Sequence, residues 1–167
     1  LLGALALAPA ITPTAAHADE VDDAFAAGKA AFKDGKYADA EAHYERAFKI
    51  RPSPDLAANL AQTEIELGKK VEAAEHLAYA LRLLPATTKP EARAAMEATM
   101  KELRATLCQL KITTSVPGAT IALRGRTLGT TPLTDAVFAE QGQYKVTATA
   151  PGYQLAEKDV FVSAGGE

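Results

Sequence analysis

A chain of 167 residues has room for one or two small domains. Its 48% hydrophobic content is that of a globular protein, and a net charge of −3 provides no broad basic surface for nucleic acid. A single cysteine, Cys108, excludes an internal disulfide.

Residues 1–18 contain no Lys, Arg, Asp or Glu and end in Ala16-His17-Ala18, ahead of Asp19-Glu20. An apolar run followed by small residues and an A-x-A site reads as a secretory signal, here without its basic start. Pro9 and Pro13 interrupt the run, which also falls short of the ~20 apolar residues that a bilayer span needs. No stretch in 19–167 is long and apolar enough to span either. The expected product is exported, to a periplasm or a cell surface. Its expected organisation is 1–18 signal peptide, 19–107 helical domain, 108–163 small β-sandwich and 164–167 a tail or the start of a linker. The fold class is α+β.

The first helix is expected over about 19–34, with Asp19, Glu20, Asp22 and Asp23 complementing its positive end. Phe25, Gly28 and Phe32 share one stripe, and Gly35 fits a left-handed stop. A second helix is predicted over 37–50, a third over 54–67 ending at Gly68, and a fourth over 71–84 ending at Pro85. Gly35-Lys36-Tyr37-Ala38-Asp39-Ala40 returns after 33 residues as Gly68-Lys69-Lys70-Val71-Glu72-Ala73. A period of that length with a turn at mid-unit signals stacked helical hairpins, which bury their apolar faces only against neighbours. Small Ala40, Ala47, Ala73 and Ala80 alternate with large Tyr44, Phe48, Leu77 and Leu81, as interlocking helices require. A fifth helix follows, with Thr88 as the expected cap, Pro90 in its first turn and a stripe of Ala92, Met96, Met100, Leu103 and Leu107. Glu97 and Lys101 are spaced to pair on its other face.

On these residues the stretch resembles two tetratricopeptide repeats. The family's pattern falls on Gly28, Gly35, Tyr37, Ala40, Tyr44, Ala47 and Pro52, then on Ala61, Gly68, Lys70, Ala73, Leu77, Ala80 and Pro85. Ala24 and Ala57 stand where the family has tryptophan, and the second unit lacks the aromatic after its turn. The resemblance implies a groove lined by the first helix of each pair, displaying Lys29, Lys33, Asn59, Gln62 and Glu66 to a peptide. Two lysines beside Asn and Gln suit a carboxylate or an extended backbone; the same residues also read as ordinary solvated positions. The fifth helix is expected to cap the array.

From Gln109 the period changes to two. Leu110, Ile112 and Val116, then Ile121 and Leu123, then Tyr144, Val146 and Ala148, and last Val160 and Val162 alternate with other residues between Gly- and Pro-containing turns. Short strands at this spacing predict a small antiparallel sandwich. A unit of that size is marginal alone, so it is expected to pack on the fifth helix, with Leu107 and a buried Cys108 at the joint. This half resembles the PEGA domain family through Val116-Pro117-Gly118-Ala119-Thr120, Arg124-Gly125-Arg126, Leu128-Gly129-Thr130-Thr131-Pro132-Leu133, Gly142-Gln143-Tyr144-Lys145-Val146 and Ala150-Pro151-Gly152-Tyr153. The glutamate of the name motif is missing, and Arg124 replaces the acidic residue common before the hairpin glycine. The resemblance implies an envelope or surface module and brings no ligand site.

Reaction chemistry is not visible. His43 and His76 occupy equivalent repeat positions, but zinc needs three or four ligands and no third stands near. There is no lysine-bearing phosphate loop. No catalytic residue, metal site or cofactor is expected. The reading is a non-enzymatic exported scaffold that binds a protein or peptide. The alternatives are a wall anchor whose sandwich holds cell-wall polysaccharide on Tyr153 and Phe138, with Tyr144 turned inward, or the sensory part of a larger membrane protein.

Overall fold

The computed structural model describes residues 14–163. Five helices are followed by two small antiparallel sheets, an α+β arrangement. The helices are α1 (Thr14–Lys33), α2 (Tyr37–Ile50), α3 (Pro54–Glu66), α4 (Lys70–Leu83) and α5 (Pro90–Arg104). Helix α1 begins earlier than the acidic cluster suggested, inside the stretch read as the end of an export signal. The rest of that expectation, residues 1–13, lies outside the described residues.

The duplicated glycines stop α1 and α3 in the same way. Gly35 and Gly68 have φ of +72° and +74°, a region that costs a side chain but not glycine. The following amides of Lys36 and Lys69 then reach back to the carbonyls of Ala31 and Glu64, closing each helix with a double hydrogen-bonded cap. Helix α3 starts on Ser53, whose Oγ accepts the Leu56 N–H at 3.2 Å, with Pro54 in the first turn. Helix α5 has no such cap. Lys89, not Thr88, precedes its first turn, and no side chain closes it. Glu97 lies 4.0 Å from Arg93 and is not paired with Lys101.

Two apolar cores run through the helices. The first joins Val21, Ala24, Ala40, Tyr44, Ala47, Leu56 and Leu60 of α1, α2 and α3. Helices approach closely there: a Cβ at Gly28 would lie 2.6 Å from Tyr44 Cε1, so the glycine of the stripe is required by the tyrosine ring. The second core joins Ala61, Ala73, Ala74, Leu77, Met100, Leu103 and Leu107 of α3, α4 and the end of the helical half. Only the later part of the α5 stripe is covered; Ala92 is exposed.

The strands are β1 (Cys108–Leu110), β2 (Thr120–Leu123), β3 (Arg126–Thr130), β4 (Val137–Ala139), β5 (Gly142–Thr149) and β6 (Ala156–Val162). β1 pairs with β4, and the larger sheet runs β3-β2-β5-β6. Cys108, Ala139 and Val162 close the two sheets on each other. The alternation at Ile112 and Val116 does not produce a long first strand; β1 has three residues. Thr131 holds the far end of this stretch. Its Oγ1 donates to the Val116 carbonyl and accepts the Ala119 N–H, while its own N–H donates to Ala119 O and its carbonyl accepts from Gly118. Residues 116–119 are thereby held against Thr131 at the end of the β2–β3 pairing and do not extend β1. Alternation marks neither β3 nor β4; the hairpin glycine of the PEGA resemblance implies a strand after Gly125, and β4 has no signal of that kind. β3 is a polar edge with a bulge opposite Ile121 and Ala122, and β4 is too short to show a period.

The hairpin between β2 and β3 turns on Arg124-Gly125, both with positive φ (49° and 82°), the geometry of a two-residue primed turn. A non-glycine residue is strained at such a φ. Its guanidinium lies 3.8 Å from the Tyr144 ring centroid and donates to the Gln143 carbonyl, contacts that offset the strain.

Candidate functional site: the helical face and its junction with the sheets

Lys29 and Lys33 are four residues apart on α1, and both are exposed. The Lys29 ammonium sits 5.6 Å from the Phe25 ring centroid, within cation–π range. Asn59, Gln62 and Glu66 follow one stripe of α3. Asn59 is half-buried, and its amide nitrogen donates to Asp55 O at 2.7 Å. Gln62 and Glu66 are exposed. Among the described residues, none of these five side chains hydrogen-bonds or ion-pairs with another of the five. The arrangement is two polar stripes on the first helices of successive hairpins.

The outer ends of the hairpins are tied by charge. Arg46 pairs with Glu20 at 2.8 Å, Arg51 with Asp22 at 3.2 Å, and Lys69 of the α3–α4 turn with Glu41 at 2.6 Å. The Glu41 hydrogen bond raises the pKa of the Lys69 ammonium. Exposed pairs of this kind each contribute about 0–1 kcal/mol, so they set register more than stability.

Between α3 and α4 lies a different kind of pair. Glu64 is 1% exposed, and both its carboxylate oxygens stand 2.9 Å from His76 Nδ1. His76 also meets the Phe48 ring edge-on, with centroids 5.4 Å apart. Burial raises the Glu64 carboxyl above its ordinary range although His76 opposes the shift. Burial lowers the His76 imidazole, but the Glu64 bond and charge, with Glu75 and Glu45 nearby, outweigh it and leave the pKa raised. Of the two repeat-related histidines, His76 links the two helices of the second hairpin. Among the described residues, no group of three or more metal-ligating side chains comes together.

The joint at Leu107 and Cys108 is where the sequence suggests, but sequence reasoning missed that β4 and α4, more than α5, carry the junction between helices and sheets. Strand β4 lies at its centre, and its three residues are all buried. Phe138, 1% exposed, inserts into the α3–α4–α5 core, while Ala139 belongs to the sandwich core. Phe138 is therefore no platform for a sugar. Arg104 covers its ring at 6.0 Å. Glu75 of α4 accepts from both terminal nitrogens of Arg126 at 2.8 Å and from the Phe138 N–H at 3.4 Å. Its hydrogen bonds raise the Arg126 pKa further. Arg82 of α4 pairs with Asp135 just before β4. The one signal was the unbroken apolar run Ala136-Val137-Phe138-Ala139, which marks a segment covered on both faces.

Beside the junction an open cleft of about 920 Å³ is lined by α4, β1, the approach to β4, and β5–β6; Leu110, Ile112, Leu133, Val146 and Val160 supply its apolar wall. Tyr144 is half-buried and packs against the sandwich core, whereas Tyr153 is 65% and Phe161 67% exposed.

The family model for the PEGA domain matches residues 107–167, which begins at the buried joint. No curated protein and no solved structure matches the chain. Among the described residues, no helix is long and apolar enough to cross a membrane.

Proposed function

We propose that the chain is a non-enzymatic, exported adaptor of the cell envelope, in which two tetratricopeptide-like hairpins hold an extended peptide and the PEGA-like unit terminates the helical array. The observation that carries this reading is the unequal use of helix faces. The outer face of α4 is occupied by Phe138, Arg126 and Asp135. The stripes of α1 and α3 carry Lys29, Lys33, Gln62 and Glu66 to solvent, beside the half-buried Asn59. Long polar stripes on successive helices suit a peptide held through its backbone and carboxylates. Repeats of this kind act as binding surfaces and do not build the enclosed polar site that catalysis needs.

Selection of peptides from a displayed library on the whole chain, followed by titration of the selected peptide, tests the proposal. Replacing Lys29 and Lys33 with glutamate is expected to weaken binding at least tenfold, or about 1.4 kcal/mol. Selected peptides whose affinity ignores both lysines, Asn59 and Gln62 would remove the groove. The polysaccharide-anchor reading retains Tyr153 but loses Phe138. Retention of the chain on purified wall glycan, abolished by Tyr153→Ala, would favour it.

A further inference from the structure

We infer that β6 is a self-pairing edge, through which two copies of this chain join their larger sheets across a two-fold axis. The inference is independent of the helical groove. β6 ends the sheet order β3-β2-β5-β6, and among the described residues no strand pairs with its outer side. An edge presents unpaired backbone groups that proteins defend with charge, and β6 does so along half its length only. Glu157, Lys158 and Asp159 are exposed; then come Val160, Phe161 and Val162 without a charge. Phe161 is 67% exposed on the outer face, whereas Val160 and Val162 turn toward the sandwich core.

Symmetry narrows the register. A two-fold axis normal to an antiparallel sheet preserves faces, so it must pass beside a residue that pairs with its own copy. An axis at Lys158 sets lysine against lysine and Glu157 against Asp159. At Asp159 it sets aspartate against aspartate. At Val160 it sets the Lys158 ammonium against Val162 on the apolar side and Asp159 against Phe161. An axis at Val162 sets Phe161 against Ser163 and leaves the ring without its copy, whereas an axis at Phe161 pairs the largest exposed apolar side chain with itself and, among the described residues, sets no charge against an apolar side chain. Phe161 meets Phe161, each Val160 meets Val162, and Asp159 meets Ser163. The sequence Val160-Phe161-Val162 reads the same in both directions, which is what an isologous contact requires. The charged block excludes the two registers on one side. In the selected register, valines of the second copy continue the apolar row beside the open cleft, which Val160 and Val162 help to line.

Sedimentation equilibrium of the whole chain over a concentration series tests this arrangement. A reversible dimer is expected. Phe161→Lys, at an exposed position where folding is undisturbed, sets two ammonium groups at the axis and is expected to raise the dissociation constant at least tenfold. Ser163→Lys, opposite Asp159, is expected to lower it. Residues facing each other in such a pair have Cα atoms about 4.5–5.5 Å apart, within disulfide reach. Phe161→Cys is therefore expected to cross-link to a dimer under mild oxidation, and Asp159→Cys is not. A chain that stays monomeric at hundreds of micromolar, or a dimer indifferent to Phe161→Lys, would overturn the inference, as would equal cross-linking at 159 and 161.

Discussion

The tightest constraint on a single residue is at Gly28, where tyrosine carbon occupies the space of a side chain. Gly28→Ala must displace Tyr44, which is 1% exposed and meets Phe25 at 5.8 Å between centroids. Overpacking of this kind costs about 1–3 kcal/mol, against a small gain in helix propensity. A lower midpoint in urea unfolding is expected, and an unchanged midpoint would show that the ring relaxes freely. Thr131 offers a second residue-scale test. Thr131→Val keeps the volume but leaves the Val116 carbonyl and the Ala119 N–H without their hydroxyl partner. A loss of about 1–3 kcal/mol follows from unsatisfied buried groups. The Glu64–His76 pair makes stability depend on pH. His76 has a raised folded pKa, so its contribution is complete below its ordinary value of 6.5 and is lost as pH rises through the raised value. Glu64 is also raised, so its ionisation on the same upward path is harder in the folded state than in the unfolded one. Both effects carry the same sign. The thermal midpoint is expected to fall as pH rises from the ordinary carboxyl range through and above the ordinary imidazole range, and the fall should shrink in Glu64→Gln; a midpoint rising over that path would contradict the assignment.

At the scale of elements, the helices were legible because each carries its own punctuation. Gly35, Gly68, Pro52 and Pro85 bracket periodic stretches, and α2 occupies the expected residues without adjustment. Alternation located β5 and the buried pair Ile121 and Leu123 of β2 for the same reason: one face is covered and the other is wet. It failed at 111–116, where Ile112 and Val116 have the right spacing but the backbone joins no ladder, and the Val116 carbonyl accepts from the Thr131 hydroxyl instead. Periodicity reports which side chains are covered and is silent on where carbonyls go. It also failed at β4, because a strand covered on both faces has no alternation to read. The five groove residues were placed by repeat pattern alone. Their helices are as expected, yet nothing in sequence could tell that Asn59 turns its amide to its own helix. Ser53 supplies the test at this scale. Ser53→Ala removes the cap of α3 and is expected to cost about 1 kcal/mol, with loss of amide-exchange protection confined at first to the amides of 55–57.

For the whole molecule, the bond between Leu107 and Cys108 is a border between two interiors. Leu107 completes the helical core, and Cys108, the next residue, completes the sandwich core. Phe138 then returns from the sheets to seal the helices. Phe138→Ala is expected to destabilise the helical half by about 3–5 kcal/mol although the residue belongs to the other half, and both halves should melt in one transition. Two separated transitions in calorimetry of the unaltered chain would disprove that coupling. The border also fixes the phase between the two halves. Insertion of one residue between Leu107 and Cys108 would turn every β1 side chain to the opposite face and drag a core residue out of place, whereas residues 85–89 form a mostly exposed connection outside any helix or strand. Length variation among descendants of this chain should accumulate in that connection and be purged at the border, so the two halves can diverge in sequence but can only be inherited in one fixed phase.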